Sequence, residues 1–70
     1  MERKRVSSSN IRSIGYDEKT RTLEVEFNNG GVYQYANVSP EVHGRFLSAS
    51  SIGSFFKDSI EEDYSCKRIR

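Results

Sequence analysis

Seventy residues suffice for one domain, and a chain this short buries only about 60% of the surface its unfolded form exposes, which excludes a large core. Eleven Lys and Arg against 10 Asp and Glu give a formal charge of +1, so the molecule as a whole is not drawn to nucleic acid by net charge. The single cysteine, Cys66, excludes an intramolecular disulfide, no Cys/His spacing suggests a structural zinc, and residues 1–30 hold no apolar run long enough for a signal peptide or membrane span. A cytoplasmic protein without membrane, metal or cofactor is the expectation, with homo-oligomerisation as the remaining route to extra stability.

In chain order, residues 1–5 read as a flexible basic arm and residues 6–70 as a single domain. The first strand is expected over Asn10 to Tyr16. Ile11 and Ile14 have opposite parity there, so a period of two places both on one face only if the strand carries a bulge. Asp17 to Arg21 turn the chain. Thr22 to Phe27 alternate strictly, with Leu23, Val25 and Phe27 on one face and Glu24 and Glu26 on the other, which is expected to be exposed. Asn28-Asn29-Gly30-Gly31 supplies residues tolerant of positive φ and marks a hairpin into the third strand, Val32 to Ala36.

Ser39-Pro40-Glu41 is a helix start: Ser at the N-cap, Pro in the first turn, then an acid. The helix should span Pro40 to Ser48, and Gly44 in its middle suggests a close approach to the sheet. Ser50-Ser51 precedes a second helix, in which Ile52, Phe55, Phe56 and Ile60 form a buried stripe. The segment from Asp63 to Ile69 reads either as a fourth strand on the sheet edge or as an extended tail docked on the domain, of which the docked tail is favoured. The fold class is therefore α+β, a three-stranded antiparallel β-meander with two short α-helices packed on one face.

Several segments resemble the KTSC domain family. They are Ser8 to Asp17, Leu23 to Phe27, the pair Tyr33 and Tyr35, Ala49 to Phe56, and Cys66 to Ile69. That family is named for the C-terminal domain of some lysyl-tRNA synthetases and also occurs as a stand-alone small protein in bacteria and phages. Two positions depart from its pattern: His43 stands where an aromatic is expected, and Lys57 where Asn is frequent. The resemblance implies no enzymatic activity, and its synthetase context suggests RNA binding.

The residues agree on the absence of catalysis. Neither a nucleophile with its base nor a metal set converges: His43 and Cys66 fall in different elements, Cys66 reads as a plain semi-buried thiol, and Glu24 and Glu26 read as solvated acids. Tyr33 and Tyr35 share a face with the core by parity. Glu24 and Glu26 then make the opposite face a poor platform for phosphate. The expected function is a non-catalytic binding module for a phosphate-bearing ligand, RNA or nucleotide, at the seam between the sheet edge and the second helix. Its candidate residues are Arg12, Tyr33, Tyr35, Ser50, Ser51 and Gly53. Arg3, Lys4, Arg5, Lys67, Arg68 and Arg70 would form a basic patch if the termini meet. The alternative is a protein-interaction or self-assembling adaptor subunit.

Overall fold

The structure is a computed structural model and describes residues 2–70, so Met1 of the expected arm lies outside the described residues. Five strands and two helices follow in the order β1 (Arg3–Arg5), β2 (Ile11–Asp17), β3 (Thr22–Phe27), β4 (Val32–Tyr35), α1 (Pro40–Ser48), α2 (Ile52–Ser59) and β5 (Cys66–Arg68). They form one antiparallel sheet in the order β1-β2-β3-β4-β5, with each strand beside its neighbours in sequence.

The three central strands and both helices fall where the sequence places them, but the meander has five strands and not three. Arg3–Arg5, expected as a loose arm, pairs with β2 through Arg3 opposite Gly15 and Arg5 opposite Ser13. The tail, for which the sequence favours a docked extended segment over an edge strand, pairs as an edge strand and adds β5 to β4, with Tyr33 opposite Arg68 and Tyr35 opposite Cys66. Neither segment has the apolar alternation by which a strand is read from sequence, because each lies on an edge and is charged. Charged edges are also how sheets avoid pairing with other chains.

The expected bulge sits between Ile11 and Ser13, where Arg12 is the extra residue. It resets the parity, so Ile11 and Ile14 both enter the core at 1% exposure. They join Leu23, Val25, Tyr35, Val38, Phe46, Phe56 and Ile60 between sheet and helices. Full burial of such aliphatic and aromatic side chains contributes about 1.5–3 kcal/mol each. Phe46 is central: its ring stacks with Phe55 at 5.6 Å and with Phe56 at 6.4 Å, tying α1 to α2.

Both helix starts are capped as the sequence implies. Ser39 Oγ accepts a hydrogen bond from the Val42 amide at 3.2 Å, and Ser51 Oγ accepts one from the Ser54 amide at 3.3 Å; each such cap contributes about 1 kcal/mol. Gly44 does not mark a close approach, since a Cβ there would meet nothing within 4 Å. His43, the departure from the family pattern, packs as an aromatic would, with its ring stacked on Tyr16 at 4.4 Å and 13° between planes. Cys66 is exposed, not semi-buried, because β5 is the edge strand. No helix among the described residues is long and apolar enough to cross a membrane.

Candidate functional site

Three segments meet at one end of the sheet: the β1–β2 connection, the β3–β4 hairpin and the start of α2. The connection is held by Ser8, whose Oγ accepts from the amides of Asn10 and Ile11 at 3.3 and 3.4 Å. Asn28 fastens it to the hairpin, its amide donating to Asn10 O and its Nδ2 to Ser9 O, both at 2.8 Å. The hairpin turns at Gly30, whose φ of 93° suits glycine. Asn29 Oδ1 accepts from the Gly31 amide at 2.9 Å and so fixes the turn.

Two adjoining clefts lie between these segments and α2. One, of about 380 Å³, has Ile11, Phe27 and Phe56 as its floor, and Asn10, Asn28 and Asn29 at its rim with Lys57 and Glu61. The other, of about 330 Å³, is walled by the hydroxyl residues Ser7, Ser8, Ser9, Ser50, Ser51 and Ser54, again with Lys57. Asn10, Gly53 and Lys57 line both, so the two are halves of one groove. Gly53 keeps the passage open: a Cβ there would stand 3.6 Å from Ser8 Oγ, in ordinary contact.

Ser50, Ser51 and Gly53 thus come together at the seam, although the Ser51 hydroxyl is occupied in capping α2. The remaining three candidates lie elsewhere. Arg12 projects from the bulge to the other face of the sheet, 3.7 Å from Glu26, and its Nη2 donates to Asn28 O at 3.0 Å, bracing the hairpin. Tyr35 is buried at 4% exposure, and burial first, then the neighbouring Cys66 thiol, pushes its hydroxyl pKa up. Tyr33 packs edge-on against Phe27 at 5.6 Å, with the Arg68 guanidinium 5.8 Å from its ring.

Asn10, Phe27, Asn28, Asn29 and Lys57 were not among the sequence candidates. Asn28-Asn29 announces a turn, and nothing in a turn signal says that its amides will edge a cleft. Lys57 stood out only as a departure from the family pattern.

The face expected to repel phosphate differs most from the sequence reading. Glu24 and Glu26 are only 6% and 8% exposed. Arg3 reaches Glu24 across β2 at Gly15, which stands opposite both residues and presents no side chain between them. Glu26 accepts from Ser13 Oγ at 2.7 Å and faces Arg70 at 3.0 Å, Arg12 at 3.7 Å and Arg3 at 3.9 Å. The Ser13 hydrogen bond first, with these guanidiniums, holds the Glu26 carboxyl below its usual range against the opposing effect of burial. The carboxylates are therefore recessed beneath cations. Arg3 and Arg70 do meet over Glu26, whereas Lys4 shares the parity of Ile14 and Arg68 that of Tyr33, on the helix side. The basic patch is divided between the two faces of the sheet.

At the opposite end, a depression of about 460 Å³ between β1 and α1 exposes part of the Tyr16–His43 stack among mixed charges, Glu2 and Glu18 with Arg3 and Lys4. Among the described residues no three of His, Cys, Asp and Glu gather where a metal ion could be held.

Comparison with known proteins gives consistent results. The family model of the KTSC domain matches residues 7–64. An uncharacterized protein of Stutzerimonas stutzeri is 46% identical over 64 residues, covering 91% of this chain and 90% of that protein. A lysine–tRNA ligase of Nostoc punctiforme is 34% identical over 59 residues, which are 84% of this chain but 10% of the ligase. The crystal structure of a KTSC domain protein from Yersinia pestis superimposes with a TM-score of 0.96 at 45% identity, covering 99% of this chain and 97% of that one.

Proposed function

The chain belongs to the KTSC domain family, and on that basis we propose that it is a non-catalytic module binding a nucleotide, free or as a unit of RNA, in the groove between the β1–β2 connection, the β3–β4 hairpin and α2. The observation that carries this reading is the division of the groove into two chemically distinct halves that share Asn10, Gly53 and Lys57. A planar base needs an apolar floor and amide groups at its edges, as single-stranded bases are recognised elsewhere. Ile11, Phe27 and Phe56 are that floor, and Asn28 Oδ1 and Asn29 Nδ2 are the amide atoms not engaged in holding the hairpin. A phosphate needs donors and positive charge, which Ser7, Ser9, Ser50 and Lys57 offer in the second half. The similar segment in a protein named for a tRNA substrate agrees with a ligand of this class.

Calorimetric titration with UMP and AMP tests the reading. Saturable binding is expected, weakened by Gly53→Ala, which places a methyl at the junction of the halves, and by Lys57→Glu. Gly53→Ala should melt no lower than the parent, since Ala is the better helix former. The reading fails if neither nucleotide binds at millimolar concentration to the folded protein, or if both variants bind as well as the parent.

A further inference from the structure

We infer that the uncovered face of the sheet is a second contact surface for the same ligand, and that the physiological ligand is therefore a single-stranded polynucleotide and not a free nucleotide. This rests on the groove reading above and extends it to the partner's length and path.

Arg3, Arg5, Arg12 and Ser13 surround Glu26 in a shallow depression of about 560 Å³ on the face that carries no helix. With Arg70 over Glu26 and Arg3 over Glu24, four guanidiniums stand against two recessed carboxylates. Arg5 and Lys67 make no ion pair among the described residues, and both are exposed. By parity Arg5 lies opposite Ser13, and Lys67 opposite Gln34, so both project from this face. An apolar partner would leave these cations desolvated and unpaired, at a cost. A run of phosphates would pair them while keeping one side in water, as arginine forks and lysine ammonium groups do on nucleic-acid backbones.

Continuity between the two surfaces favours a polymer over scattered anions. Arg12 lines the basic depression and donates to the backbone of Asn28, which edges the groove. A strand seated with one base in the groove and turning past the Asn28 corner would bring its next phosphates toward Arg12 and then Arg5. The bulge makes this possible, because the additional residue in β2 is Arg12 itself. Tight binding then comes from joining two weak contacts on one chain, the base in the groove and phosphates on the face.

The test compares UMP with a short fluorescein-labelled oligouridylate on the parent protein and the double variant Arg5→Gln, Lys67→Gln. The oligouridylate is expected to bind at least tenfold more tightly than UMP. Its affinity should fall with salt, and since single strands lose about 0.7 in log–log slope per phosphate contact, the double variant should flatten that slope by about 1.4. UMP affinity should be unchanged in the variant, which separates this inference from the groove reading. Oligouridylate binding no more tightly than UMP, or an unaltered slope in the variant, would overturn the inference while leaving the groove reading intact. Polyphosphate competing as well as oligouridylate, with Gly53→Ala affecting neither, would also overturn it, since the face would then be a general polyanion site unconnected to the groove.

Discussion

Ser13 Oγ donates to Glu26 Oε1 at 2.7 Å across β2 and β3, and this bond is the foremost reason that the Glu26 carboxyl lies below its ordinary value of 4.5. A carboxyl whose folded-state pKa is depressed contributes stability that is fully present above the unfolded pKa and is lost as pH falls through the folded one. Stability should therefore decline from near pH 4.5 downward. Ser13→Ala should move the carboxyl titration of Glu26 upward and make the acid-dependent loss of stability smaller, since its onset is set by the unfolded chain and its lower end by the folded carboxyl; carboxyl NMR titration and melting curves at several pH values check both. A Glu26 titration unmoved by Ser13→Ala would show that the guanidiniums alone set it.

His43 gives a second pH dependence through a different cause. Burial beneath the Tyr16 ring, then the nearby positive charge of Lys4, holds its imidazole below the ordinary 6.5. The neutral ring is the one the fold accommodates, so its contribution is present above pH 6.5 and is lost as pH falls through the lowered value. His43→Phe should keep the stack on Tyr16 and remove this component of the melting-temperature profile, while His43→Ala should remove the stack as well and melt lower throughout. A His43→Phe profile parallel to the parent's would contradict the assignment.

Gly44 lies within α1 with open space where a side chain would begin. Gly44→Ala should stabilise the fold by about 1 kcal/mol through helix propensity alone, raising the midpoint of thermal unfolding by roughly 4–8 °C in a domain of this size. No change in midpoint would mean that the glycine is needed for a contact that the fold does not display.

Phe46, fully buried where α1 meets α2, should be the costliest of these positions. Phe46→Ala removes about 3–5 kcal/mol, against a total stability of about 5–15 kcal/mol for ordinary domains. The variant should be largely unfolded at 37 °C by circular dichroism, whereas Phe46→Leu should remain folded with a lowered midpoint.

What the sequence disclosed follows from where each residue's information lies. Leu23, Val25 and Phe27 announce β3 because one face of that strand is buried and its partners are local. The opposite parity of Ile11 and Ile14 announces the bulge, since two core residues three apart cannot share a face of a regular strand. Arg3–Arg5 and Cys66–Arg68 carry no such imprint: their pairing is decided by the strands they meet, and their charges look the same on an edge strand as in a free tail. For the same reason Glu24 and Glu26 read as solvated acids, because the arginines that cover them come from the far ends of the chain and from the bulge. Within the candidate site, Ser50, Ser51 and Gly53 fall in one short stretch of sequence and were legible as a helix start. Asn10, Asn28 and Lys57 come from three separate elements, and only the folded hairpin brings them together.

The proposed nucleotide binding in one groove, with the base on Phe27 and Phe56 and the phosphate beside Lys57, is tested most directly by amide chemical-shift mapping during titration with UMP. The predicted result is a saturating set of shifts at Asn10, Phe27, Asn29, Gly53 and Lys57, with Tyr33, Tyr35 and His43 unmoved. Shifts confined to the Tyr16–His43 depression or to β4 and β5, or no shifts in a protein whose spectrum is that of a folded domain, would contradict it.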